Sequence, residues 1–215
     1  SFTKTVAPKY YEEIQKAFDF KNTIQNYSFS TQQLMFMYQC IDRNIEGNIA
    51  EVGVWEGTTT VILNKYLTSR NINKIYFAID TFSGFTYNDI NYEVTKRNKD
   101  PSFYTVFKNS KPTFDLRMKQ SNINNVVSIQ ADVNTFDFST IKPLSFALLD
   151  VDLYLPIKRS LTELYSILSP KGIIVVDNCE LNTPWDGAGQ AYKEFMQTLN
   201  QQPEIIFDKL GVIRK

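Results

Sequence analysis

From Asn48 onward the chain alternates short apolar runs with amphipathic segments, and this alternation restricts the fold to β-α-β units around a mainly parallel sheet. Strands are predicted over residues 49–53, 75–79, 126–130, 146–149 and 173–176, with a closing pair over 204–207 and 211–214. Helices are predicted between them over 58–67, 113–120, 156–168 and 189–199. Pro156 suits a first helical turn, and Pro170-Lys171-Gly172 suits a helix stop. Two further helices, over 9–19 and 31–44, precede the first strand, the second with Ser30 and Thr31 as capping candidates. The expected architecture is an α/β, Rossmann-like domain with a seven-stranded, mostly parallel sheet and helices on both faces. Residues 1–47 would form an N-terminal helical cap or lid and residues 48–215 the core of a single domain. Residues 85–112, polar and aromatic with weak periodicity, are read as a flap over the site.

Composition narrows the function classes. Lys+Arg and Asp+Glu are equal at 23 each, so no global positive field draws nucleic acid or an anionic membrane, and a small-molecule partner is expected. No run approaches the roughly 20 apolar residues of a membrane span, and no basic-plus-apolar leader is evident. Cys40 and Cys179 lie far apart without metal-ligand spacing, which suits a reducing cytoplasm. The absence of histidine leaves carboxylates, amides, Lys and Tyr to do any acid-base or ligand work. The Tyr, Phe and Met residues of the N-terminal helices can bury an interface between two copies or cap the sheet.

The first strand runs into A50-E51-V52-G53-V54-W55-E56-G57-T58-T59-T60, a glycine-punctuated turn opening a helix, where an open α/β sheet binds its ligand. Gly53 and Gly57 would let backbone approach a ligand, and the helix start at Thr58 and Thr59 would offer N–H and hydroxyl donors to a carboxylate. The spacing lacks the tight G-x-G-x-x-G of dinucleotide sites, and Trp55 stands where a pyrophosphate would need bare backbone. Glu51 can accept from an ammonium, and a methionine moiety carries both ammonium and carboxylate. The second strand ends I79-D80-T81-F82-S83-G84, placing Asp80 to accept two ribose hydroxyls with Ser83 in the loop beside it. The third ends in Asp132-Val133, an acceptor for an adenine amino group next to an apolar contact for the ring. Each acid alone also suits a helix cap or solvated loop; their joint occurrence at successive strand ends favours a cofactor site.

The fourth and fifth strands, S145-F146-A147-L148-L149-D150 and I173-I174-V175-V176-D177-N178, deliver acids after fully apolar stretches. Asp150, Asp177 and the Asn178 amide form a hard-oxygen set suited to Mg²⁺, and Asp150 is the candidate proton acceptor. The alternative is a helix cap at Asp150 and an Asx-type turn at Asp177-Asn178. Trp185, in the segment leaving the fifth strand, can stack on a sugar or ring face or pack on the core, and Tyr27 and Phe29 are lid candidates.

The stretch from Tyr27 to Leu63, then AIDTFSGF, then LLDVDLYLPIKRSLTELYSILSPKGIIVVDNC, resembles the macrocin O-methyltransferase family across about three quarters of the chain. E-x-G-V-W-x-G, D-x-F-x-G-F and D-x-D-L-Y occur in that order. The resemblance implies a class I methyltransferase fold, S-adenosylmethionine on the Glu51–Thr59 turn and Asp80, and magnesium on Asp150 and Asp177. Asn178 stands where the family usually has a second aspartate, so weaker metal binding is implied. The expected activity is methyl transfer to a hydroxyl of a sugar or polyhydroxylated small molecule, assisted by Mg²⁺. Metal-independent transfer, which Asn178 favours, and a non-catalytic cofactor-binding module are the rival readings.

Overall fold

The computed structural model describes residues 8–18 and 27–215. Its seven strands are β1 (Asn48–Val52), β2 (Tyr76–Asp80), β3 (Val126–Gln130), β4 (Leu144–Leu149), β5 (Leu168–Val176), β6 (Glu204–Ile206) and β7 (Leu210–Arg214). The helices are α1 (Pro8–Phe18), α2 (Thr31–Asp42), α3 (Thr58–Ser69), α4 (Tyr87–Arg97), α5 (Lys111–Gln120), α6 (Tyr154–Ile167) and α7 (Gly187–Thr198). The sheet order is β3-β2-β1-β4-β5-β7-β6, with β1 to β5 parallel and β7 antiparallel to both of its neighbours. This is the Rossmann-like α/β architecture expected, and the strand order reverses between β1 and β4. A crevice must open there beyond the carboxyl ends, because the connections leave the two strands in opposite directions.

Strand alternation divides the core between the two faces. Ile49, Phe146, Leu148, Ile173 and Val175 pack with Leu34, Met37, Tyr38, Leu63 and Tyr66 of α2 and α3, and Ile14 of α1 joins that cluster. Ala50, Val52, Ala147, Leu149, Ile174 and Val176 pack on the other face with Ile157, Leu161 and Leu164 of α6 and Tyr192 and Met196 of α7. Among the described side chains, Tyr10 and Ile14 of α1 and Leu34, Met37 and Tyr38 of α2 thus pack against the sheet of their own chain. Residue 19, the predicted end of the first helix, lies outside the described residues. Ser30 caps α2 through a reciprocal pair: its hydroxyl accepts from Gln33 N at 3.3 Å, and its N–H donates to Gln33 Oε1 at 2.8 Å.

Two expectations change. Pro170-Lys171-Gly172 does not stop a helix; α6 has ended at Ile167, and the three residues bulge out of β5 where Leu144 pairs with Leu168 but Phe146 with Ile173. Lys171 takes the left-handed conformation there, at φ +67°. Residues 85–112, read as a flap without assigned elements, hold α4 and a 3₁₀ turn over Pro101–Tyr104. α4 escapes a hydrophobic-period reading because its buried residues are Asp89 and Glu93, whereas Tyr87 is 79% exposed.

Candidate active site

A cavity of about 340 Å³ opens beyond the carboxyl ends of β1, β2, β4 and β5, at the β1/β4 reversal. Its lining brings together Glu51, Gly53, Trp55, Thr58, Thr59, Asp80, Asp132, Val133, Asp150, Asp177 and Asn178. Gly57 and Ser83 do not line it. Gly57 starts α3 at φ +80°, and a Cβ there would lie 2.7 Å from Phe114 Cε2, so close packing demands the glycine. Its N–H is already donated to Val54 O at 2.7 Å. Ser83 is exposed, and its N–H turns back to Thr81 Oγ1 at 3.3 Å, while Thr81 and Gly84 face the cavity. Gly53 lines the cavity and has a second reason to be glycine: at φ +86° a Cβ would meet Asp150 O at 1.8 Å, so the residue lets β1 and β4 converge at their ends.

Glu51 is 2% exposed, and its Oε2 accepts from Thr60 Oγ1 and Tyr76 Oη, each at 2.6 Å. Burial pushes its carboxyl up to about 7 against these two donors. Asp80 Oδ2 accepts the Val54 and Trp55 amides at 2.8 and 3.0 Å, and Oδ1 accepts Phe82 N–H at 2.8 Å. The acid therefore fixes the turn after β1 as well as facing the cavity. Asp132 Oδ1 is taken by the backbone and side-chain N–H groups of Asn134 at 2.9 and 3.0 Å. Asn134 also donates to Asp89 Oδ1 at 3.0 Å, which brings the buried Asp89 of α4 to the cavity wall. The hydroxyls of the α3 start have partners too, Thr58 with Arg117 Nη2 at 3.1 Å and Thr59 with Tyr27 Oη at 3.0 Å.

On the other side stand Asp150, Asp152 and Asp177. Burial, then repulsion from Asp177 and Asp152, raises the Asp150 carboxyl well above its ordinary range. Burial followed by Asp177 raises Asp152 to about 7. Asp177 is 3% exposed and raised by burial, against the pull of Lys209. Lys209 Nζ stands 3.0 Å from Asp177 Oδ1, although off the line of a hydrogen bond, so that buried oxygen has an ion pair and no aligned donor. The Asn178 amide nitrogen donates to Asp152 Oδ1. The proposed metal set does share one cavity, yet Asp177 faces a cation of the chain, Lys209, while Asn178 engages Asp152 through its amide nitrogen and not through the oxygen that would ligate. Among the described residues no three His, Cys, Asp or Glu side chains form a group able to hold a metal. The donor set in this arrangement does not fit a resident magnesium.

Trp185 belongs to an aromatic wall. Its ring lies 5.9 Å from Phe85, 5.7 Å from Phe107 and 5.6 Å from Tyr104, and Trp55 meets Phe107 at 5.3 Å. Residues 85–112 supply part of this wall from a fixed position: buried Glu93 accepts Tyr154 N–H and Arg97 Nε at 2.7 Å each, and Arg97 and Lys99 both pair with Asp186. Asp152, the second acid of D-x-D, joins the cavity together with Asp89 and Lys209, none of which the sequence pattern assigns a role. Nothing in their local patterns marks the latter two, which reach the cavity from a helix side and a hairpin.

The family model for Macrocin-O-methyltransferase (TylF) matches residues 30–214. No curated protein matches the chain by sequence. Among solved structures, the O-methyltransferase NovP superposes with a TM-score of 0.66 at 19% identity, covering 86% of this chain and 80% of NovP. CalS11, a calicheamicin methyltransferase also described as a TDP-rhamnose 3'-O-methyltransferase, gives 0.62 at 19% identity over 95% of this chain and 91% of its own. The SAH-bound Podospora anserina methyltransferase PaMTH1 gives 0.60 at 16% identity, over 94% and 87%. At these identities the structural likeness is one of fold.

Proposed function

Because the chain belongs to the macrocin O-methyltransferase family, whose members are S-adenosylmethionine-dependent O-methyltransferases, we propose that it methylates a hydroxyl of a sugar or polyhydroxylated small molecule in the β1/β4 cavity. The observation that carries this reading is the meeting, in one cavity, of the turn after β1 with a set of carboxylates and an aromatic wall. CalS11, described as a TDP-rhamnose 3'-O-methyltransferase, supports a sugar acceptor, and NovP supports O-methyl transfer.

S-adenosylmethionine supplies an electrophilic methyl on sulfur. Glu51 and the start of α3 would receive the amino-acid end, Asp80 the ribose, and Val133 with Asp132 the adenine. Asp80 performs this while holding the Val54 and Trp55 amides, so the ribose site and the turn are one rigid unit. Phe85, Phe107 and Trp185 offer faces for an acceptor ring. An acceptor hydroxyl must lose its proton as it attacks in line. Asp150 is the candidate to take that proton, and Asp152, which lines the same cavity and is raised to about 7 by burial and Asp177, is a second.

We read the transfer as metal-independent, because the Lys209 ammonium pairs with Asp177 and the Asn178 amide beside it carries no charge. Incubation with labelled S-adenosylmethionine and a panel of nucleotide sugars and glycosides tests the function. The expected product carries alkali-stable label in an ether methyl, with turnover unchanged by EDTA. Label found only on protein or nucleic acid would contradict the reading.

A further inference from the structure

Lys209 sits in the hairpin joining β6 and β7. Phe207 and Asp208 make the turn at φ +52° and +53°, and Lys209 N–H closes it on Ile206 O at 3.2 Å. The carbonyl of Lys209 accepts Cys179 N–H at 2.7 Å, tying the hairpin to the chain just beyond Asp177-Asn178. From this anchored backbone the side chain enters the cavity wall, where it is 19% exposed. Its ammonium donates to Ser28 O at 3.3 Å, lies 4.8 Å from the Phe29 ring centroid and stands 3.0 Å from Asp177 Oδ1. Backbone, aromatic face and carboxylate thus hold one positive charge from three directions.

A divalent ion on Asp177, which is 3% exposed, would meet that ammonium at close range, where like charges repel strongly. The neutral amide at Asn178 removes a charge that such an ion would need, and its nitrogen already faces Asp152. We propose that the Lys209 ammonium is the resident cation of the acid cluster, standing in the electrostatic place that the family resemblance gives to magnesium and fixing Asp177 beside Asp150 and Asp152. Lys209 is a positioning residue in this account. The inference rests on the methyltransferase reading only for its consequence in turnover; the charge argument concerns the free protein.

Manganese, which replaces magnesium on oxygen ligands and loses its free-ion EPR signal when bound, is the probe. Titrated with Mn²⁺ to about 1 mM, the wild type and Lys209→Arg are expected to leave the free-ion signal intact. Folded Lys209→Met is expected to take up one ion per chain, at least about tenfold more tightly than wild type. Stoichiometric uptake by the wild type would overturn the proposal, as would folded Lys209→Met binding no more tightly than wild type. Should Lys209→Met fail to fold, the wild-type and Lys209→Arg titrations still decide, uptake by either counting against the proposal and its absence in both for it. A wrong methyltransferase reading shows itself separately, as a failure to bind S-adenosylmethionine in calorimetry.

Discussion

Glu51 is a carboxyl that the fold tolerates at a cost because of where it stands. It occupies the middle of β1, enclosed by Thr60 and Tyr76, and its folded-state value of about 7 lies above its ordinary 4.5. The folded chain keeps the Glu51 proton in a pH range where the unfolded chain has lost it, so stability falls as pH rises from about 4.5 to about 7. Glu51→Gln is expected to remove that part of the slope, leaving the protein near wild-type stability at pH 4 and about 3 kcal/mol more stable at pH 8, read by thermal melts. The same variant is expected to bind S-adenosylmethionine at least about tenfold more weakly, because a neutral amide loses the charge that meets an ammonium. Gly53→Ala addresses a different constraint. With 1.8 Å between the new Cβ and Asp150 O, β1 and β4 must separate, and a loss of several kcal/mol with collapse of cofactor binding is expected in denaturant titration and calorimetry.

The strand ends were legible in the sequence because the last four residues of β4 and of β5, 146–149 and 173–176, are apolar without interruption up to the acids that follow them, and a charge inside such a run would lie unpaired. Asp80, Asp132, Asp150 and Asp177 therefore reach the cavity where their spacing put them. α4 was illegible for the opposite reason: its inward residues are acids whose partners lie far along the chain, Glu93 meeting Tyr154 and Arg97 meeting Asp186. Lys209 follows the same rule, since a lysine in a hairpin reads as solvated until the fold carries it to Asp177. The pinning of α4 is testable at this scale. Arg97→Met leaves Glu93 with one partner fewer in a buried place and is expected to cost about 3 kcal/mol. Limited proteolysis is expected to cut that variant between residues 98 and 110 while wild type resists; equal resistance would mean that the wall does not depend on the bridge.

Across the whole molecule, the sheet reversal at β1/β4 makes the crevice, the two core clusters hold its walls, and the carboxyl ends bring the turn after β1 and the acids that follow β4 and β5 to one cavity. The glycine turn was expected to serve the ligand, yet Gly57 serves packing and Gly53 serves both the cavity and the meeting of two strands. Family membership supports S-adenosylmethionine as the cofactor, and its proposed place in the β1/β4 cavity is the claim on which the acceptor and the proton route depend. Isothermal calorimetry of the purified chain with S-adenosylmethionine tests it most directly. One site per chain with a dissociation constant on the order of 1–100 μM is predicted; no heat of binding at about 1 mM ligand would contradict it.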